Sequence, residues 1–228
     1  MNPNPYPFGQ VIANPAETNR VLRNTYALLA LSMIPTILGA WVGVASGLSH
    51  MMSPMMSLIV FMVGAYGLMF AVQRTKNSAA GVPVLLGFTF FMGLMLSRMI
   101  GFALQLHHGV EMVSLAFAGT ATVFFGMAAL STVIKRDLSS MGKFLFIGAL
   151  LVIVASIANM FLQSSTLMIT LSVLTAGIFS AFILHDLKAV RDGYETNYIS
   201  ATLGVYLSLY NVFQSLLSIL MVTGGRDE

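Results

Sequence analysis

From Phe144 to His185 the chain carries no Asp, Glu, Lys or Arg. That run is about twice the roughly 20 apolar residues that one helix needs to cross a bilayer core. The polar tetrad Gln163-Ser164-Ser165-Thr166 divides it, so the run predicts two spans joined by a tight helical hairpin. In lipid every backbone N–H and C=O must find its partner within the protein, which for separate apolar runs means helices. The same length test along the whole chain gives seven segments. They are Tyr26 to Leu48, Met55 to Val72, Ala80 to Leu106, Val110 to Ile134, Phe144 to Leu162, Leu167 to Leu184 and Tyr198 to Val222. The expected fold is an all-α membrane protein, a bundle of seven transmembrane helices.

Composition agrees. Only 8% of residues are charged, against about a quarter in soluble domains. Mean hydropathy is +0.86. Cysteine is absent, which removes disulfides, thiolate metal sites and a thiol nucleophile. The first nineteen residues hold Pro3, Pro5, Pro7 and Pro15 and lack the basic start and apolar run of a secretory signal. Residues 1–24 are expected to form a loosely ordered tail, with amphipathic character only from about Arg20. The spans then occupy residues 25–223, and 224–228 form a short C-terminal tail.

Loop charges set the direction. Arg20 and Arg23, Arg74 and Lys76, then Lys135, Arg136 and Lys143, then Lys188 and Arg191 all fall on one side. The other side has Arg226, and Arg98 lies within the third span. This bias predicts a cytoplasmic N-terminus and an external C-terminus. A basic pI near 9.3 therefore reflects topology, and no nucleic-acid partner is expected. Retinal proteins and G-protein-coupled receptors have the opposite N-terminal side, and the last span has no Lys for a retinal Schiff base.

The last span is the most polar. Thr202, Tyr206, Tyr210, Gln214 and Ser218 recur every four residues, and Gly204, Ser208, Asn211 and Ser215 form a row beside them. A lipid-facing helix would not carry so many groups that need hydrogen-bond partners, so this helix is expected at the centre of the bundle. The polar rows are either a seam that glues helices together or a wet path or binding surface. Leu209, Val212, Leu216 and Leu220 lie elsewhere on the helix and can pack against apolar neighbours.

Few residues could carry chemistry. Asp186 ends the sixth span at the basic side, where an ionisable group is either functional or an ordinary helix-end carboxylate paired with Lys188 or Arg74. Arg98 can snorkel outward or pair with Glu111. Adjacent His107 and His108 make a poor chelate. His50 is alone on another loop, and Met51, Met52, Met55 and Met56 beside it read as an apolar helix start. Asp137 can cap or pair locally in Lys135-Arg136-Asp137-Leu138-Ser139-Ser140. Gly39, Gly43 and Gly47 in the first span, with Gly119 and Gly126 in the fourth, read as small-residue packing contacts. No HExxH, GxSxG or phosphate-loop motif occurs, so no enzymatic activity and no cofactor are expected.

Several segments carry a family likeness: Val21-Leu22-Arg23-Asn24-Thr25-Tyr26, Tyr66-Gly67-Leu68-Met69-Phe70, Gly119-Thr120 with Val123-Phe124-Phe125, and Lys135 to Ser139. The fullest is Glu195-Thr196-Asn197-Tyr198-Ile199 continuing to Ser208-Leu209-Tyr210-Asn211 and Ser215 to Leu220. By these motifs the chain resembles the Bax-inhibitor family of membrane proteins, within it the bacterial branch that modulates an FtsH-like membrane AAA protease. The resemblance implies a seven-helix bundle with the last helix central, a bacterial inner-membrane location and a protease partner. It also implies an alternative: some family members look like pH-sensitive calcium leak channels. In those, two aspartates near the cytoplasmic ends of the last two helices share a proton, and a basic residue on the second helix assists. Carried over, the first aspartate is Asp186, where a calcium ion could bind transiently, and the basic residue is Arg74. The second aspartate falls at Ser208. Two carboxylates at close range cannot both ionise, and a Ser supplies no such repulsion. The resemblance therefore favours the protease-modulator branch. Tyr206, Tyr210, Asn211 and Gln214 remain the polar seam.

Overall fold

A computed structural model describes residues 15–47 and 53–224. Seven helices follow in order: α1 Pro15–Ala45, α2 Pro54–Thr75, α3 Gly81–Ala103, α4 Gly109–Val133, α5 Met141–Leu162, α6 Ser165–Arg191 and α7 Tyr198–Gly224. All seven are long and apolar enough to cross a membrane. The charge-free run is divided as expected. Gln163 takes a left-handed conformation (φ 49°), and the Ser164 side chain caps α6 by accepting from the Leu167 N–H at 3.3 Å. Asn159 Oδ1 accepts from the Ser164 N–H at 3.1 Å and closes the hairpin.

The last helix is the axis. It packs against α1, α2, α3, α4 and α6, and α1–α3, α3–α4, α4–α6 and α6–α1 contacts close a ring around it. Half of its apolar window is buried, the largest share of the seven. Of the rows read from sequence, Thr202, Tyr206, Ser208, Tyr210, Ser215 and Ser218 are buried, while Asn211 and Gln214 are half-buried. Val205, Leu209 and Val212 of α7 join Leu85, Phe88 and Met92 of α3 and Ile183 and Leu187 of α6 in one core. By contrast α5 has no buried residue and packs on α6 alone.

Small residues let α1 and α3 approach closely. A Cβ on Gly93 would strike the Thr36 carbonyl, and one on Gly39 would strike the Phe90 carbonyl. Gly43 likewise meets Ser97, and Gly119 faces Leu216. Two glycines expected to share this role do not. Gly47 lies in the turn after α1 with φ +65°, and Gly126 has open space around its Cβ position. A helix contact needs a glycine on the packed face, and the sequence alone did not fix that face.

Two boundaries also differ from expectation. α1 begins at Pro15, inside the stretch read as a tail, because Val21 and Leu22 pack against Val190 and Ala201. That contact exists because α6 continues past Asp186 to Arg191 instead of ending there. Residues 1–14, His50, Met51, Met52 and 225–228 lie outside the described residues.

Candidate functional site

The loops bearing the basic residues gather at one end of the bundle. Asn197 organises them. Its Oδ1 accepts from the N–H groups of Ile199 at 2.9 Å and Ser200 at 3.1 Å, capping α7. Its Nδ2 donates to Asn77 Oδ1 at 2.8 Å and the Lys76 carbonyl at 3.2 Å, tying the α2–α3 loop to the start of α7. Tyr194 donates to Asp137 at 3.4 Å, and Arg191 Nε donates to Ser131 Oγ at 3.1 Å, joining α6 and its following loop to α4 and the α4–α5 loop.

Asp186 sits at this end. Ile183, Leu187 and Val190 form the fully buried stripe of α6, and Asp186 lies three residues from Ile183 on the margin of the same face. Its side chain is 24% exposed and lies 3.2 Å from His185 Nδ1. A Cβ on Gly204 would lie 2.8 Å from Asp186 Oδ2, so the carboxylate rests directly on the α7 backbone. The His185 ring fits over Gly142 of α5, where a Cβ would come within 2.8 Å of Nε2.

Neither basic residue proposed as a partner reaches Asp186. Lys188 is buried and paired with Asp192, the residue that follows the end of α6. Arg74 is exposed and lies over the Phe70 ring, 5.6 Å from its centroid. Ser208 is buried one turn beyond Gly204. Glu111 pairs with His108 at 3.4 Å rather than with Arg98. Asp137 caps its own loop, accepting from the Ser139 N–H at 2.8 Å. Among the described residues no group of three His, Cys, Asp or Glu could hold a metal ion.

Two turns into α7, aromatic rings pack the bundle interior. Tyr206 packs edge-on against Phe88 with centroids 6.0 Å apart and beside Tyr210 at 6.4 Å. Its hydroxyl lies 2.9 Å from Thr36 Oγ1 and donates toward the Thr89 carbonyl at 3.4 Å, so one side chain bonds α7 to α1 and α3. Beyond this seal, toward the end opposite the basic loops, is a cavity of about 370 Å³. Asn211, Gln214, Ser215 and Ser218 of α7 line it with Ser172 and Thr175 of α6. Ser156 and Asn159 of α5 add further polar groups, and no charged residue takes part.

Thus the polar rows are divided. Tyr206 and Tyr210 belong to a buried aromatic seal, and Asn211 and Gln214 face a cavity. Sequence reading missed Asn197 as an organiser, although an Asn directly before an apolar run is a helix-start signal. It also missed the neighbouring walls. Ser156 and Asn159, like Ser172 and Thr175, are spaced by three and share a helix face, a signal that was available.

A bundle of seven membrane-length helices whose last, polar helix is the axis, with an ionisable pair at its basic end, defines a multi-pass membrane protein. Residues 18–225 match the family described as Inhibitor of apoptosis-promoting Bax1, and the chain belongs to that Bax-inhibitor family. It is 37% identical over 211 residues to a membrane protein of Vibrio cholerae, covering 92% of this chain and 93% of the relative. It is 38% identical over 203 residues to a protein of Escherichia coli K12 named Modulator of FtsH protease YccA, covering 89% and 90%. The counterpart in Escherichia coli O6:H1, equally similar, is named Inner membrane protein YccA. These likenesses and the seven apolar helices put the chain among multi-pass inner membrane proteins.

Proposed function

We propose that this protein is a non-catalytic regulator that binds and modulates an FtsH-like membrane AAA protease. The observation that carries the reading is the 38% identity, over nine-tenths of both chains, to the relative named for that activity. The architecture is consistent with it. α2 and α5 leave long apolar faces free for lateral contact with another membrane protein. The proposed orientation puts the N-terminus and the basic loops in the cytoplasm and the C-terminus in the periplasm, following the charge bias. The segment preceding α1 is then on the side of the protease's cytosolic ring and assists the contact.

The test is detergent co-purification of the full chain from inner membranes, with proteolysis of a membrane substrate measured in its presence and absence. Recovery of the protease together with an altered proteolytic rate supports the reading. An abundant chain that recovers no protease and leaves the rate unchanged overturns it.

A pH-sensitive calcium leak is the alternative. The Asp186 carboxylate, at the position where the resemblance implies one half of a gate, rests on the Gly204 backbone of the central helix, which favours it. Against it, the position of the second carboxylate is Ser208 and the cavity lining has no carboxylate, whereas calcium takes about six or more oxygens. Calcium flux into proteoliposomes separates the two readings.

A further inference from the structure

The cavity beyond the tyrosine seal is a cleft between helices that stand apart. α3 and α5 both line it but do not touch each other, and α5 packs on α6 alone. α6 and α7 therefore form a floor between two separate walls. No residue of α1, α2 or α4 lines it. Two of the flanking side chains, Met160 and Met168, are 57% and 38% exposed, so the cleft meets the outer surface of the bundle.

Its polar groups are incompletely used. Ser215 is only 5% exposed, yet among the described residues its hydroxyl has no hydrogen-bond partner, and it lines the cavity. The Ser156 hydroxyl on α5 is likewise unpartnered among the described residues. Asn159 uses its oxygen on the Ser164 N–H, which leaves its Nδ2. Asn211 and Gln214 each donate one N–H within α7, which leaves their oxygens and second N–H groups. The lining thus offers both donors and acceptors and no charge.

Depth and shape select the occupant. At roughly 1.5 Å per residue, Ser218 and Asn211 lie about 9 and 20 Å from the end of α7, and Asn159 and Ser156 about 4 and 9 Å from the end of α5. The headgroup layer is only about 5 to 7 Å thick on each side, so a lipid headgroup does not reach the deeper groups. Acyl chains reach them but offer no hydrogen bonds. The polar groups form a strip about 15 Å long parallel to the helix axes, close to three helical turns. A neighbouring helix with hydroxyl or amide side chains along one face matches both its length and its mixed donors and acceptors. A helix is about 10 Å across, so it would lie along the mouth of the cleft and insert side chains into the 370 Å³ behind it.

We propose that the cleft between α3 and α5 is the docking site for a transmembrane helix of the membrane-anchored protease, one that carries Ser, Thr, Asn or Gln on a single face. This rests on the protease reading and names the contact surface.

Photo-crosslinking in inner membranes tests it, with p-benzoylphenylalanine placed in the full chain at Met99 or Met160 beside the cleft, or at Val63, an exposed residue of α2. A protease adduct, identified by mass spectrometry, is expected from Met99 and Met160. The double substitution Asn211→Leu, Gln214→Met should lower its yield at limiting protease about tenfold, at about a factor of three for each membrane hydrogen bond. If the double variant does not fold, Ser156→Ala should lower it about threefold, and that change sits on a helix with no buried residue. Cleft adducts whose yield ignores these substitutions overturn the proposal, as do cleft adducts with a second copy of the chain. Protease adducts from Val63 with none from the cleft overturn it and leave the protease reading standing. No adduct and no co-purified protease overturns both.

Discussion

The Asp186 carboxylate rests on the bare backbone of Gly204, where a Cβ would approach Oδ2 to 2.8 Å. This contact brings the ionisable group of α6 onto the central helix without an ion-pair partner from Arg74 or Lys188. Gly204→Ala should push the carboxylate aside. Helix propensity gains about 1 kcal/mol from that change and overpacking costs about 1 to 3 kcal/mol, so a net loss of up to about 2 kcal/mol is expected. Denaturation in detergent micelles reads it. A variant more stable than the native chain would show that the contact has no structural consequence.

Ser208 lies one turn further along α7 from Gly204. Ser208→Asp would give α7 its own carboxylate near Asp186, and two such groups at close range share a proton. Calcium flux into liposomes should then become pH-dependent between about pH 6 and 8, against a weak response of the native chain. Adding Asp186→Asn should remove the dependence. A strong native response that survives Asp186→Asn would place any gate elsewhere.

Asn197 caps α7 with its oxygen and holds the α2–α3 loop with its nitrogen. Asn197→Ala should cost about 1 to 2 kcal/mol from the cap alone. Asn197→Asp keeps the acceptor and loses the donor to Asn77 and Lys76, so it should fall between the native chain and the Ala variant. Equal stability of the Asp and Ala variants would mean that the cap contributes little.

Tyr206 joins three helices through one hydroxyl. Tyr206→Phe keeps the ring and should cost about 0.6 kcal/mol, and less than about 1.7, as membrane hydrogen bonds do. Tyr206→Ala opens the seal and should cost about 3 to 5 kcal/mol. Thermal unfolding of the two variants compares the hydroxyl with the ring.

Asp137 lies in the α4–α5 loop, outside the spans. The backbone N–H of Ser139, then its hydroxyl, hold the Asp137 pKa below its ordinary value of 3.8. A carboxylate depressed in the folded state adds stability that is complete above its unfolded pKa and is lost as pH falls through the folded one. The contribution is thus fully present near neutrality, and its change with pH is confined to acid, from about pH 3.8 downward. In a carboxyl NMR titration, Ser139→Ala should move the midpoint up toward 3.8 without reaching it, since the backbone bond remains. An unmoved midpoint would remove the hydroxyl from the account.

The sequence by itself determined the solvent of this protein, and with it much of the fold. Seven apolar runs in lipid can satisfy their backbones only as helices, and Gln163 to Thr166 had to be a hairpin because one span cannot use the whole charge-free run. The polar rows of the last segment had to be central because hydroxyls and amides are costly against acyl chains. Tertiary structure decided what each polar group does. Tyr206 and Asn211 stand on adjoining rows of one helix, yet one closes a buried aromatic seal and the other faces a cavity, because α1 and α3 supply partners at the first level and α3 and α5 stand apart at the second. Asp186 meets Gly204 instead of Arg74, and Asn197 reaches Asn77 across more than a hundred residues of chain, for the same reason. Helix spacing in sequence fixes which residues share a face, while the rotation and crossing of packed helices fix what that face meets.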